Sequence, residues 1–131
     1  MLFRSDTLFV SVQSGATTAL RQVVRSADAW ETVWAELSGP FVGMEAAPEV
    51  DFAASQVLVL AMGARPTGGY SIEVGTLSLA EGVLSVPVRE VTPGSACVNT
   101  QAVTQPALVL RVPLLGDAVE FVEEQAVLDC A

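Results

Sequence analysis

Between Gln56 and Gly63 the chain is apolar at every position from Val57 to Met62, with no alternation of polar and apolar residues. A strand with one face in water alternates with a period of two, so an unbroken run this short describes a strand covered on both faces. Such a strand needs a partner layer on each side. One is visible upstream, where Trp30, Val33, Trp34 and Leu37 stand at i, i+3, i+4 and i+7, a single apolar stripe on a helix. Ser26 or Asp28 can cap that helix, the latter with Glu31 as its box-like partner, and Ser38-Gly39-Pro40 is expected to stop it. The two tryptophans read as core residues packed on a sheet.

The rest of the pattern is β. Thr7 to Gln13 and Ala19 to Arg25 read as strands before the helix, and residues 39 to 55, which include Gly39, Pro40, Gly43 and Pro48, as a loop ending near Asp51-Phe52. After Tyr70 the apolar parity changes, from Ile72 and Val74 to Leu77 and Leu79, which requires a one-residue slip near Gly75; a β-bulge there restores the inward face. Glu81-Gly82 is a tight turn. Leu84, Val86 and Val88 alternate on the returning strand, and Pro87, unable to donate to a ladder, makes the segment Val83 to Val91 an expected sheet edge. Cys97 to Pro106 fits either a strand or an ordered loop. Leu108, Leu110 and Val112 face inward on a later strand, and Val119, Phe121 and the tail from Ala126 to Cys130 suggest a final hairpin. The expected fold is mainly β, α+β by strict count: one domain over residues 1–131, an antiparallel β sandwich or curved sheet with one packed amphipathic helix.

Composition narrows function mostly by exclusion. The 131 residues include six arginines, no lysine and no histidine, and the net charge is −9, so phosphate backbones would be repelled and nucleic acid is not an expected partner. Without histidine or lysine the usual nucleophile–base pairs are missing, which leaves no expected enzyme activity beyond a carboxylate couple; Glu120, Glu123 and Glu124 are the densest acidic group and read as a solvated edge. No cofactor or metal is expected. No apolar run reaches the roughly 18 residues of a membrane span, and the first residues do not resemble a signal peptide, so the expected compartment is cytoplasmic if the chain is complete and extracytoplasmic if a segment was removed. Cys97 and Cys130 could form one bridge in an oxidising compartment, or remain thiols.

The segment with functional promise is Arg65-Pro66-Thr67-Gly68-Gly69-Tyr70. Pro66 presets a turn, the two glycines permit positive φ and leave backbone amides uncovered, and rigid loops on a scaffold commonly carry binding residues. A plain strand-joining turn is the competing reading. The same residues, continued by Ser71-Ile72-Glu73-Val74, resemble the signature of the protease complex subunit PrcB C-terminal domain family. Val24-Arg25-Ser26 leading into Trp30 and Trp34, Pro48-Glu49-Val50-Asp51-Phe52, Pro93-Gly94, Cys97-Val98 and Thr100 to Pro106 resemble further blocks of that family in the same order, over roughly residues 20 to 113. The family is named for a non-catalytic component that accompanies a secreted serine protease. A looser similarity is to chagasin-type cysteine-protease inhibitors, whose Asn-Pro-Thr-Thr-Gly-Tyr loop is matched here with Arg65 and Gly68 at the first and fourth positions; that departure argues against direct inhibition of a cysteine protease.

The resemblance implies a non-catalytic, protein-binding accessory domain that associates with or modulates a protease through Arg65 to Tyr70, with Thr100, Gln101 and Thr104 as neighbours. The competing function is a structural or self-assembling module pairing through an exposed edge strand such as Val83 to Val91. The sequence sets no oligomeric state.

Overall fold

The computed structural model describes residues 2–3, 5–42 and 46–130, with side chains described outside residues 2–3 and 39–42. Among the described residues nine strands form two sheets, and one helix covers one of them. The first sheet is built from β2 (Asp6–Ser11), β8 (Ala107–Pro113), β4 (Ser55–Met62) and β3 (Ala19–Val24), antiparallel throughout and in that order. The second holds β1 (Leu2–Phe3), β6 (Leu77–Ala80), β5 (Ser71–Val74), β7 (Val83–Pro93) and β9 (Ala118–Leu128).

The apolar run is the middle of this arrangement. Val57, Val59 and Ala61 of β4, with Ala107 and Val109 of β8, face the helix α1 (Ala27–Val42) and bury Trp30, Val33, Trp34 and Leu37. Leu58, Leu60 and Met62, with Leu108, Leu110 and Val112, face Ile72, Leu77, Leu84, Val86 and Val88 of the second sheet. Two cores thus share one strand, and each fully buried Leu or Val contributes about 1.5–3 kcal/mol. The tryptophans are core residues as expected: Trp34 meets Phe9 edge-on at 5.3 Å, and Trp30 Nε1 donates to the Pro48 carbonyl at 2.9 Å.

Ser26, not Asp28, caps the helix, its Oγ accepting from Ala29 N–H at 3.2 Å. The helix also continues past Ser38-Gly39-Pro40 to Val42. Pro40 has no N–H to meet the carbonyl of Glu36, and Glu36 is exposed, so water can satisfy that carbonyl. Gly43, part of the expected loop, lies outside the described residues.

The slip near Gly75 is present: Val74 pairs with Val88 but Ser78 with Ser85, so one extra residue separates the two registers. Glu81 (φ 53°) and Gly82 (φ 79°) both take positive φ, as a two-residue hairpin between Ala80 and Val83 requires.

The segment Val83 to Val91 is not an edge. β7 lies between β5 and β6 on one side and β9 on the other. Pro87 is tolerated because its carbonyl accepts from Gly75 N–H at 3.0 Å, which aims its own nitrogen at the bulge, where the ladder is already interrupted. Nor do the last strands form a hairpin. The Gln56 amide donates to the carbonyls of Pro113 and Leu115, and Asp117 N–H to Gly82 at 2.7 Å, which carries the chain into the other sheet. β9 therefore starts beside the start of β7, Ala118 against Val83, and runs parallel to it.

Candidate functional site

The loop from Arg65 to Tyr70 joins the end of β4 to the start of β5, and it is braced by residues 97–106, an ordered connection with isolated bridges. Arg65 and Thr104 exchange backbone hydrogen bonds at 2.7 and 2.9 Å. Gly68 N–H donates to the Thr100 carbonyl at 3.0 Å, and Thr104 Oγ1 donates to the Thr67 carbonyl at 2.8 Å. Thr67 Oγ1 turns inward to the Gly68 carbonyl at 2.9 Å.

The two glycines are required for different reasons. At Gly69 φ is +91°, a region that side chains resist, and an added Cβ would also collide with Asn99 Oδ1. Gly68 has no such φ, but an added Cβ would lie 2.5 Å from Thr100 Oγ1. Pro66 and Gly69 are exposed, while Arg65, Thr67, Gly68 and Tyr70 are half-buried.

Of the neighbours expected from the sequence, Thr100 and Thr104 touch the loop. Gln101 is exposed and donates to the Asn99 carbonyl at 3.1 Å, within its own segment. Asn99 was not singled out by sequence; a residue meeting a positive-φ glycine leaves no local pattern. Val98 is fully exposed and Val103 is 58% exposed on the same segment. Cys97 and Cys130 are joined, with Cα atoms 5.0 Å apart, and tie this segment to the end of β9.

Beneath the loop lies a charged cluster. The Arg65 guanidinium sits 5.5 Å from the Tyr70 ring centroid and 3.9 Å from Glu90 Oε1. Glu90 is buried on β7 at the parity of Val86 and Val88, and its Oε2 accepts from Arg21 Nη2 at 2.5 Å while Gln125 Nε2 donates to Oε1 at 3.3 Å. Arg21 also binds Glu123 through two hydrogen bonds of 2.9 and 3.0 Å. Burial lowers the pKa of Arg21, but the hydrogen bonds to Glu123 and Glu90 and their charges outweigh it and hold the guanidinium above its ordinary value. The carboxylates of Glu90 and Glu123 thus grip one arginine. Glu120 and Glu124 stay exposed on the outer strand. An acid at core parity was the signal that could have revealed this cluster.

Among the described residues no group of three or more His, Cys, Asp or Glu is placed to hold a metal ion, and no helix is long and apolar enough to cross a membrane.

Residues 56–113 match the family model described as PrcB C-terminal. Over this stretch the chain is similar to the PrcB C-terminal family. The match runs from β4 through β8 and takes in both the loop and its brace, so the matched segment contains the whole braced turn. Searches of curated proteins and of solved structures returned no match.

Proposed function

We propose that this chain is a single PrcB-like accessory domain, non-catalytic, that binds a protein partner through Arg65, Pro66, Thr67, Gly68, Gly69 and Tyr70. The observation that carries the reading is the brace: Gly68 is held by a backbone bond to Thr100 and Arg65 by two to Thr104, while a Cβ at Gly68 or Gly69 would strike Thr100 or Asn99. A loop ordered before it meets a partner loses little entropy on association. The family name points to a protease complex, which makes a protease the first partner to test. The Cys97 to Cys130 bond favours an oxidising compartment for that encounter.

Self-assembly through Val83 to Val91 loses its basis, because β7 is interior. Among the described residues the long open edge belongs instead to β9, which carries Glu120, Glu123 and Glu124, charges that discourage edge-to-edge pairing.

Affinity capture from the source organism with the wild-type chain and with a Thr67→Arg, Gly68→Arg chain tests the proposal. Loss of a specific partner from the variant is the expected result. Identical partner sets would remove the loop from the interface.

A further inference from the structure

The second sheet has a gap along its rim. Among the described residues β1 pairs with β6 alone, through Leu2 with Ser78 and Phe3 with Leu77, and the other sheet takes up the chain where Asp6 pairs with Arg111. β5 lies in line with β6 along β7 and is paired with β7 only, so its far edge is open among the described residues. The antiparallel alternation says which groups face that edge. Gly75 N–H meets Pro87 O, so Ser71 and Glu73 also turn their backbone groups to β7, and Ile72 and Val74 turn theirs to the open side.

The facing sheet bears the mark of the same gap. Val10 of β2 stands opposite Leu108, whose side chain is in the core between the sheets, so Val10 points into that space too. Yet Val10 is 68% exposed where Leu108 is 8%. An apolar side chain aimed between two sheets and left in water shows where the second sheet is one strand short.

Charge then says what would fit. Glu73 stands opposite Arg89, and Arg89 opposite Glu124, an exposed row of alternating sign across the outer face. The row ends at Glu73, on the open edge. A residue added opposite Glu73 is stabilised if it is a cation and destabilised if it is an anion. A second copy joined strand β5 to strand β5 about this position would set one Glu73 against another.

We propose that the open edge of β5 takes an extended segment of the partner as an added strand, with an apolar side chain over Val10 and an Arg or Lys opposite Glu73. This rests on the reading of the chain as a protein-binding module and specifies the ligand. The loop Arg65 to Tyr70 leads directly into β5, so an added strand would pass beside it. Main-chain bonds to Ile72 and Val74 supply affinity, and Glu73 supplies selectivity.

The test is residue-resolved amide exchange on the folded chain with a synthetic peptide of alternating valine and lysine, and with its valine–glutamate counterpart. The lysine peptide is expected to slow exchange at Ile72 and Val74 and to bind about tenfold more tightly than the glutamate peptide. Val74→Pro removes an outward N–H while sparing the ladder to β7, and should abolish the effect; Glu73→Lys should reverse the preference between peptides. Unchanged binding by a folded Val74→Pro chain, an unchanged preference in Glu73→Lys, protection on β2 or β9 instead, or dimerisation through β5 without peptide would each overturn the proposal. If β5 is protected by peptide while the Thr67→Arg, Gly68→Arg chain still captures wild-type partners, the edge stands and the loop falls. The reverse pattern rejects the edge alone.

Discussion

Arg21 Nη2 lies 2.5 Å from Glu90 Oε2, which ties an edge strand of one sheet to the central strand of the other. On the opposite flank the chain itself crosses between sheets from β1 to β2. The sandwich is therefore closed by covalent continuity on one side and by an ionic clamp on the other.

Removing the clamp's cation should cost more than removing an exposed pair. Arg21→Ala leaves Glu90 buried with only Gln125 and a distant Arg65, and is expected to destabilise the domain by about 2–4 kcal/mol in urea unfolding. Asp6→Ala, which removes an exposed carboxylate from half-buried Arg111, should cost about 0–1 kcal/mol. Because the pKa of Arg21 is raised, its contribution is fully present below its ordinary value and is lost only as pH climbs through the raised one, so titration of Arg21 itself should not alter its effect near neutral pH.

The glycine pair separates conformational from steric demand. Gly68→Ala and Gly69→Ala should each destabilise by about 1–3 kcal/mol. Thr100→Ala removes the atom that Gly68→Ala would strike and should rescue most of that loss. Asn99→Ala should rescue Gly69→Ala only in part, because φ at that position stays at +91°. Double-mutant cycles by thermal unfolding measure both.

The disulfide closes a sequence separation of 33 residues, and chain entropy alone assigns it about 3–4 kcal/mol. Cys97→Ser should lower the unfolding midpoint accordingly, and reductant should lower the wild type to the same level while leaving Cys97→Ser unchanged.

The shared strand makes one substitution diagnostic of each core. Leu60→Ala, between the sheets, and Val59→Ala, beneath the helix, should cost about 2–5 and 1–3 kcal/mol respectively. Only Val59→Ala should shift the fluorescence of Trp30 and Trp34, both of which lie in its core.

Much of this arrangement was legible before any coordinates. The run Val57 to Met62, the stripe Trp30 to Leu37 and the parity change at Gly75 are local patterns with one geometric solution each. Pro87 misled because a proline's cost depends on what faces its nitrogen, and the bulge that excuses it lies on another strand. The parallel run of β9 was invisible because it is set by long-range bonds from Gln56 and Gly82. At the candidate site the loop residues stood out through their glycines. Asn99 did not, since its role is set by Gly69, far away in sequence, and Glu90 showed only as an acid at core parity, its arginine partners lying on other elements.

Site-specific photocrosslinking tests the loop most directly. A photoreactive residue replacing exposed Pro66 is compared with one replacing Glu36 on the exposed helix face, in the chain presented to extract of the source organism. A discrete protein adduct from position 66, absent from position 36 and competed by unmodified wild-type chain, is the expected result. Adducts of equal yield from both positions, or none from position 66 while a captured partner is present, would contradict docking through Arg65 to Tyr70.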